Sequence, residues 1–150
     1  MPYPVEIPEA RLFPVATPVQ IRFNDIDILG HVNNTVYFSL YDTGKARFME
    51  AACGGEIDFR NVETVIANVD CAFISPIYFG QEVEVLSRVS EMGLKHIVLE
   101  QMIRQKDTGE VKSLSRSVMV YVDTATLKSA AVPERWRQAY RQICPYLKEV

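Results

Sequence analysis

The sequence predicts an α+β fold in which one long helix is wrapped by a curved antiparallel sheet of about five strands. Three patterns lead to this prediction: an alternating strand over residues 17–24, one long amphipathic segment after Gly30, and successive strand patterns from residue 62 to residue 123. Strands that follow one another beside a segregated helix are typical of α+β proteins, whereas regular alternation of strands and helices is typical of parallel α/β folds.

The start of the chain predicts an extended lead-in over residues 1–15. Prolines at positions 2, 4, 8 and 14 fix the backbone angle and remove amide donors, so regular structure is disfavoured there and this segment is expected to drape over the surface. After it, Val19, Ile21 and Phe23 alternate with polar residues. This period of two predicts a half-buried strand.

The apolar period then changes to three or four residues, which predicts an amphipathic helix of about 20 residues. The helix is expected to start near Asn33 or Asn34, since either side chain can cap it, and to stop at Gly54-Gly55. Gly44 lies on the apolar stripe, where glycine costs roughly 1 kcal/mol of helix propensity against alanine. Close packing of the helix on the sheet is the reason we expect.

The remaining chain predicts four strands and a second helix. Val62 to Ile74 is apolar on both faces and is stopped by a proline, which predicts a central strand under the helix. Alternation after Gly80, and a pair of segments joined through a short glycine-containing loop, predict an antiparallel meander. The meander segments are 80–92, 95–106 and 111–123. Pro133 predicts a helix over residues 133–144 whose aromatic face packs on the core.

Length and composition predict one soluble globular domain over residues 1–150. A chain of 150 residues can bury roughly 68–70% of the surface that its unfolded form exposes. Its 48% hydrophobic and 23% charged residues are ordinary for globular proteins. The net charge of −3 argues against a nucleic-acid partner, because phosphate binding draws on a concentrated basic surface.

The cysteines indicate a reducing compartment. Cys53, Cys71 and Cys144 are odd in number, far apart and without a C-x-x-C pair, which predicts neither a disulfide framework nor a zinc cluster. The N-terminal residues lack the features of a signal peptide, and no apolar run reaches the ~18 residues of a membrane span. We therefore expect a cytoplasmic protein with no membrane partner.

Residues 22–37 concentrate the polar chemistry of the chain, but they do not predict a metal site. The segment Asp25-x-Asp27 begins like a calcium loop, yet the fifth and twelfth places hold Leu29 and Val36, which offer no side-chain oxygen. His31 lacks a nearby cysteine or histidine partner for zinc. A serine nucleophile elbow and a glycine-rich phosphate loop are also missing from the sequence.

A carboxylate beside a helix N-terminus remains as the plausible chemistry of this segment. The first backbone amides of a helix are unpaired and carry a partial positive charge, so they can hold a polarised carbonyl oxygen. A neighbouring carboxylate can then attack that carbonyl or activate a water molecule to attack it.

The motif at 25–37, Asp-x-Asp-x-x-Gly-His-Val-Asn-Asn-x-x-Tyr, resembles the signature of hotdog-fold acyl-CoA thioesterases of the 4-hydroxybenzoyl-CoA thioesterase type. Residues 69–83 are similar to the strand, proline and Gly-acid-Val passage of that family. Together with the strand order, the likeness covers roughly residues 17–135. It implies a hotdog fold and an enzyme that hydrolyses a thioester to a free acid and coenzyme A.

The resemblance also implies roles for single residues. Asp27 is implied as nucleophile or general base, with the backbone N–H near Asn34 polarising the thioester carbonyl, while Asp25 is expected to brace the loop. Tyr37 is implied to line the acyl pocket, and His31 is expected mainly to orient the loop. The substrate-binding residues expected in full are Gly30, His31, Val32, Asn33, Tyr37, Ser75 and Pro76.

The family works as dimers, often paired into tetramers, with sites at subunit interfaces, so Ser75 and Pro76 are implied to line the neighbour's site. No cofactor is expected, since coenzyme A is part of the substrate. An acyl carrier protein thioesterase and a non-catalytic hotdog module that binds acyl thioesters remain as alternatives. Candidate residues for the coenzyme A phosphates are Arg88, Lys95 and Arg116.

Overall fold

The computed structural model describes residues 5–55, 57–58 and 63–150. Its elements confirm the predicted α+β class and the order of one strand, one long helix and four further strands. They are β1 (Val15–Val19), α1 (Val36–Cys53), β2 (Thr64–Phe73), β3 (Val83–Met92), β4 (His96–Gln105), β5 (Val111–Tyr121), α2 (Glu134–Ile143) and the short β6 (Lys148–Glu149).

The strands form one sheet in the order β1-β3-β4-β5-β2. All neighbours in this order are antiparallel, and β3, β4 and β5 form the predicted meander. The short β6 adds a parallel pairing to β3, with Lys148 opposite Glu91. A two-residue strand is too short to show a period, which is why the sequence did not predict it.

The predicted position of β2 was wrong. β2 is an edge strand beside β5, and α1 packs over β1, β3 and β4 instead. Val65, Ile66 and Phe73 of β2 are 48%, 46% and 48% exposed. Apolar residues on both faces of a strand predict a central position in the sheet. In this structure, however, the other elements cover only part of β2, and several of its apolar side chains are exposed. Residue 62, the predicted start of this strand, lies outside the described residues.

Helix α1 presents a continuous apolar face to the sheet. It starts at Val36, later than predicted, because Asn33 and Asn34 belong to the turn that precedes it. It ends at Cys53, followed by Gly54 in the left-handed conformation at φ 76°, which confirms the predicted stop. The buried residues of its sheet-facing side are Tyr37, Leu40, Tyr41, Gly44 and Phe48.

Gly44 marks the closest approach of α1 to the sheet. A Cβ atom built at this position would lie 2.4 Å from Cγ1 of Val85 on β3. No side chain fits at that distance without displacing the strand or the helix. The predicted reason for a glycine inside the helix, close packing on the sheet, is therefore confirmed.

Two apolar clusters lie between α1 and the sheet, one at each end of the helix. The cluster at the N-terminal end includes Val32, Tyr37 and Ile77, and it supports the polar loop. The cluster at the C-terminal end joins Phe48 to Tyr140 of α2. Packing of the aromatic face of α2 is thereby confirmed.

The lead-in crosses the opposite face of the sheet. Phe13 is buried there against Leu86 and Met102. Residues 1–4 of the lead-in lie outside the described residues. Within the described part of the chain, no helix combines the length and the apolar character needed to cross a membrane.

Candidate active site

The polar loop between β1 and α1 folds back on itself between Ile26 and Val32, which form an isolated antiparallel bridge. The Asp27 N–H donates to the carbonyl of His31 at 3.1 Å, and the Gly30 N–H donates to the carbonyl of Asp27 at 3.0 Å. Gly30 adopts φ 84°, a conformation that costs little only for glycine. The tight turn expected at Gly30 is therefore present.

The Asp27 carboxylate is held from two sides and remains half exposed. Its Oδ1 accepts the Leu29 N–H at 2.9 Å, and its Oδ2 accepts the side-chain amide of Asn33 at 2.9 Å. The Leu29 N–H, then the Asn33 amide, and a smaller effect of the His31 charge lower the pKa of Asp27. Asp27 is therefore an oriented anion at neutral pH.

Asn33 connects this carboxylate to the start of α1. Its Oδ1 accepts the Thr35 N–H at 2.9 Å and the Thr35 hydroxyl at 2.6 Å, while its Nδ2 donates to Asp27. Of the two predicted capping residues, Asn33 thus accepts the N–H of Thr35, the residue that immediately precedes α1. The Asn34 side chain is exposed and makes no such contact within the described residues.

The Asn34 backbone N–H is an open donor at the residue after Asn33, whose side chain holds Asp27. Among the residues that the structure describes, none accepts a hydrogen bond from it. The neighbouring donors are occupied, because the Asn33 N–H bonds to the carbonyl of Asp25 at 2.9 Å and the Val36 N–H bonds to the carbonyl of Asn33 at 3.0 Å. A carbonyl oxygen placed at Asn34 would therefore find an unpaired donor.

Asp25 has a different environment. It is 2% exposed, and its carboxylate accepts the Arg22 N–H at 2.7 Å and the Arg22 guanidinium at 2.9 Å. Burial alone raises the pKa of Asp25, but the hydrogen bonds and charge of Arg22 outweigh it and lower the pKa below its ordinary value. These contacts fix the base of the loop and leave Asp25 little access to a substrate.

The segment after β2 supports the loop from the other side. The Val32 N–H donates to the carbonyl of Ile77 at 2.8 Å. Tyr37 is 3% exposed and packs edge-on against Phe73 with 5.0 Å between ring centroids. Burial raises the pKa of Tyr37, so the phenol stays neutral at physiological pH. Within a single subunit Tyr37 belongs to the core beside the site.

Ser75 and Pro76 lie immediately before Ile77, so they adjoin the loop, but their polar atoms are bound to β5 and its preceding turn. The Ser75 hydroxyl donates to the Glu110 carboxylate, and the Pro76 carbonyl accepts the Lys112 ammonium at 3.0 Å. His31 is half buried, with Nδ1 at 3.4 Å from the Val32 carbonyl. The structure therefore joins Asp27 to Asn33 by a hydrogen bond and places Val32 and Tyr37 in one apolar cluster, whereas the polar atoms of Ser75 and Pro76 bind Glu110 and Lys112.

Sequence reasoning missed three contributors to this geometry. The Leu29 N–H contact had a signal, because aspartate commonly accepts from the amide two residues later in a turn. Ile77 is fully buried, and the sequence contained no sign of its role beyond its apolar side chain. Lys112 reads as an exposed strand residue, yet its side chain is 2% exposed and it holds the Pro76 carbonyl.

The candidate cations for coenzyme A are spread over the structure. Arg88 is bound to Glu100 at 2.6 Å and covered by the Phe13 ring, so it is already occupied. Lys95 contacts the Ser129 hydroxyl, and Arg116 is exposed. The described residues contain no group of three or more His, Cys, Asp or Glu side chains that could hold a metal ion.

Comparisons with known proteins agree with this geometry. A model of the thioesterase-like superfamily matches residues 21–140. No curated protein matches the chain. A thioesterase from Thermus thermophilus, solved with coenzyme A and zinc, is 28% identical, with 88% of this chain and 95% of that chain covered and a TM-score of 0.79.

Two more distant structures share the fold. A Pseudomonas aeruginosa protein is 24% identical, with 93% of this chain and 97% of that chain covered and a TM-score of 0.80. A 1,4-dihydroxy-2-naphthoyl-CoA thioesterase from Synechocystis is 13% identical, with 85% and 96% covered and a TM-score of 0.76. With the hotdog architecture in place and a family match over most of its length, the chain belongs to the thioesterase-like superfamily and is a thioester hydrolase.

Proposed function

We propose that this thioester hydrolase is an acyl-CoA thioesterase that uses Asp27 as its catalytic carboxylate. The observation that carries the proposal is an ionised, half-exposed Asp27 fixed by Leu29 and Asn33, with the following Asn34 N–H left without an acceptor among the described residues. The related Thermus thermophilus thioesterase binds coenzyme A, which supports coenzyme A as the carrier here. The reaction needs no cofactor, because coenzyme A is part of the substrate.

In the general-base route, the thioester carbonyl accepts the Asn34 N–H and water attacks the carbonyl carbon. Asp27 accepts the proton of that water, and the negative charge develops on the oxygen at Asn34. The carbon–sulfur bond then breaks, and the departing thiolate takes the proton from Asp27. One such oxyanion donor is typically worth about 2.7–4 kcal/mol of transition-state stabilisation.

In the nucleophilic route, an Asp27 oxygen attacks the carbonyl carbon directly and the thiolate leaves. Water then hydrolyses the resulting mixed anhydride to give the free acid and restore the carboxylate. Both routes place the same demand on the structure, which is an ionised Asp27 beside an empty donor. The lowered pKa of Asp27 keeps it ionised for either route.

Acyl carrier protein is the alternative carrier for the same reaction. The two carriers share the phosphopantetheine arm, and they differ in the nucleotide and the protein attached to it. Comparing kcat/KM for one acyl chain on coenzyme A and on acyl carrier protein decides between them. We expect the coenzyme A form to be the better substrate.

We propose in addition that the protein works as a homodimer in which β2 pairs with β2 of a second copy. β2 is an edge strand, and it exposes Val65, Ile66, Val69 and Phe73. An unpaired edge with apolar side chains is a template for pairing with another chain. Such an interface lies beside Tyr37, which contacts Phe73, and it would bring two sites together.

A cytoplasmic location is also part of the proposal. Cys53, Cys71 and Cys144 are free thiols, as expected for a protein in a reducing compartment. Measuring the distribution of the tagged protein between cell fractions tests it.

The central experiment replaces Asp27 with Asn and measures hydrolysis across a panel of short, long and aromatic acyl-CoA thioesters. We expect kcat to fall at least about 100-fold, since general acid–base catalysis contributes 10²–10⁴-fold. Asp107→Asn, an exposed aspartate in the turn between β4 and β5, is the matched control and should leave kcat within about twofold. A folded Asp27→Asn protein with undiminished turnover would remove Asp27 from the mechanism.

A further inference from the structure

Lys112, the second residue of β5, carries its charge in a buried position. Its side chain is 2% exposed, although a lysine ordinarily keeps its ammonium in water. The ammonium donates to the Pro76 carbonyl at 3.0 Å and to the Glu110 carboxylate at 3.1 Å. The Lys112 carbonyl accepts the Ile74 N–H at 2.9 Å and the Ser75 N–H at 3.1 Å. One residue therefore holds the segment that follows β2 through both its backbone and its side chain.

Stability alone does not account for an ammonium at this position. Glu110 is half exposed, so water weakens its attraction for Lys112. A buried charge costs free energy unless hydrogen bonds compensate for it, and an apolar side chain of similar length would fill the same space without that cost. The feature that only a donor provides is the hydrogen bond to the Pro76 carbonyl.

The segment held in this way leads directly to the polar loop. Pro76 has no amide hydrogen, so hydrogen bonds can fix its backbone only through its carbonyl. The next residue, Ile77, is fully buried, and its carbonyl accepts the Val32 N–H at 2.8 Å. Val32 precedes Asn33, whose side chain donates to the Asp27 carboxylate at 2.9 Å. The carbonyls of two adjacent residues thus bind the buried ammonium on one side and the polar loop on the other.

We propose that Lys112 is a positioning residue for thioester hydrolysis, which acts through the backbone of residues 76–77 to fix where the polar loop places the Asp27 carboxylate. Lys112 itself does not touch the substrate. Because the transition state requires the carboxylate and the Asn34 N–H in one arrangement, a small displacement of the loop lowers the rate more than it weakens binding. The inference rests on the proposed function of Asp27, and it assigns the alignment of the site to a residue outside it.

The first test removes the donor and keeps the shape. Lys112→Met retains an unbranched side chain of similar length, but it cannot donate to the Pro76 carbonyl. We expect kcat for the best acyl-CoA of the panel to fall at least about tenfold, because a 1 Å misplacement can cost about 10²-fold. KM should stay within about twofold, since the transition state needs the lost interaction and substrate binding does not. Lys128→Met, at an exposed lysine between β5 and α2, is the matched control and should leave both constants within about twofold.

A second variant separates the hydrogen bond from the ion pair. Glu110→Gln removes the carboxylate charge, and its amide oxygen can still accept from the Lys112 ammonium and from the Ser75 hydroxyl. The donation to Pro76 is kept, so kcat should stay within about twofold. A fall as large as that in Lys112→Met would assign the effect to the ion pair and overturn the role of the Pro76 hydrogen bond.

The pH dependence of the reaction distinguishes positioning from stability. After the Leu29 N–H, the Asn33 amide contributes most to the lowered pKa of Asp27, and a loop that is free to move weakens this second contact. The acid limb of kcat/KM should therefore shift to higher pH in Lys112→Met. Phe13→Leu is the comparison, because it reduces packing on the opposite face of the sheet. It should lower the melting temperature and keep the wild-type kcat and acid limb.

The outcomes separate this inference from the function beneath it. The positioning role is overturned if folded Lys112→Met keeps the wild-type kcat, or if its kcat falls without a shift of the acid limb. A rise in KM at unchanged kcat also overturns it, because it would place Lys112 in substrate binding. If Lys112→Met does not fold, Lys112→Gln, whose amide ends one atom short of the ammonium, gives the same comparison. Absence of hydrolysis of every acyl-CoA by the wild type overturns the proposed function itself.

Discussion

Asp25 and Asp27 are separated by one residue, yet their surroundings suit them to different work. Asp25 is buried and bound to Arg22 through both of its oxygens. Asp27 is half exposed and is held by uncharged donors that leave it accessible. A motif can indicate that both carboxylates matter, but the structure separates the one that braces the loop from the one that can meet a substrate.

Asn33 should tune the ionisation of Asp27. Replacing it with Ala removes the amide that donates to Oδ2, so the pKa of Asp27 rises. Because Asp27 must be ionised and activity falls as the pH drops through its pKa, the acid limb of kcat/KM should move to higher pH. Asn24→Ala, an exposed asparagine of the same segment, is the control. An unchanged acid limb in Asn33→Ala would argue against this coupling.

Asp25→Asn should lower stability at neutral pH. The asparagine presents an amide donor where Arg22 also donates, and we expect the free energy of unfolding to fall by about 1–3 kcal/mol. The pKa of Asp25 is lower in the folded state, so its contribution is present above the unfolded pKa and is lost as the pH falls through the folded pKa.

Urea unfolding of wild type and Asp25→Asn at several pH values measures this contribution. The difference between the two proteins should shrink in acid, below about pH 3.9. Asp42→Asn, whose ion pair is exposed, should cost less than about 0.5 kcal/mol. A difference between wild type and Asp25→Asn that stayed constant down to pH 2 would contradict the ionic role of Asp25.

At the scale of elements, the contact between α1 and β3 depends on Gly44. Ala at this position gains roughly 1 kcal/mol of helix propensity but forces its Cβ onto Val85, and overpacking typically costs 1–3 kcal/mol. We expect Gly44→Ala to lower the melting temperature. Val85→Ala in the same protein removes the clashing methyl groups, so the two substitutions should be less damaging together than their sum.

Thermal unfolding monitored by circular dichroism gives this comparison. Thr43→Ala, on the exposed side of the same helix, serves as the control for propensity alone. A Gly44→Ala protein that is more stable than wild type would show that the helix can move away from β3 at little cost.

The elements also show what periodicity does and does not report. α1, the β3–β5 meander and α2 follow from apolar spacing, because the elements that cover each of them belong to the same chain. The position of β2 does not follow, since an apolar pattern indicates burial without saying which chain supplies the cover. The burial of Lys112 was not predicted for the converse reason. Its charge predicts exposure, whereas the Pro76 carbonyl and the Glu110 carboxylate hold its ammonium in a buried position.

At the scale of the whole molecule, the proposed dimer predicts that β2 is needed for assembly and for activity. Ile66→Lys places a charge on the exposed apolar edge strand of each copy, where pairing would bury it, so the dimer should dissociate and hydrolysis should fall with it. Light scattering after gel filtration measures the mass, and the same fractions are assayed. Leu94→Lys, at an exposed apolar residue between β3 and β4, should remain dimeric and active.

A dimer of unchanged mass in Ile66→Lys would place the interface elsewhere. A monomer that kept full activity would show that one subunit completes its own site.

The hydrogen bond from Val32 to Ile77 has a consequence for the order in which the molecule assembles. Strands β3, β4 and β5 are joined by short hairpins, so their contacts close small loops at low entropic cost. The Val32–Ile77 contact closes a much longer loop, because all of α1 and β2 lie between these two residues in the sequence. We expect the meander to act as the folding nucleus and the catalytic loop to close late, so that hydrolytic competence during refolding lags behind the recovery of sheet structure.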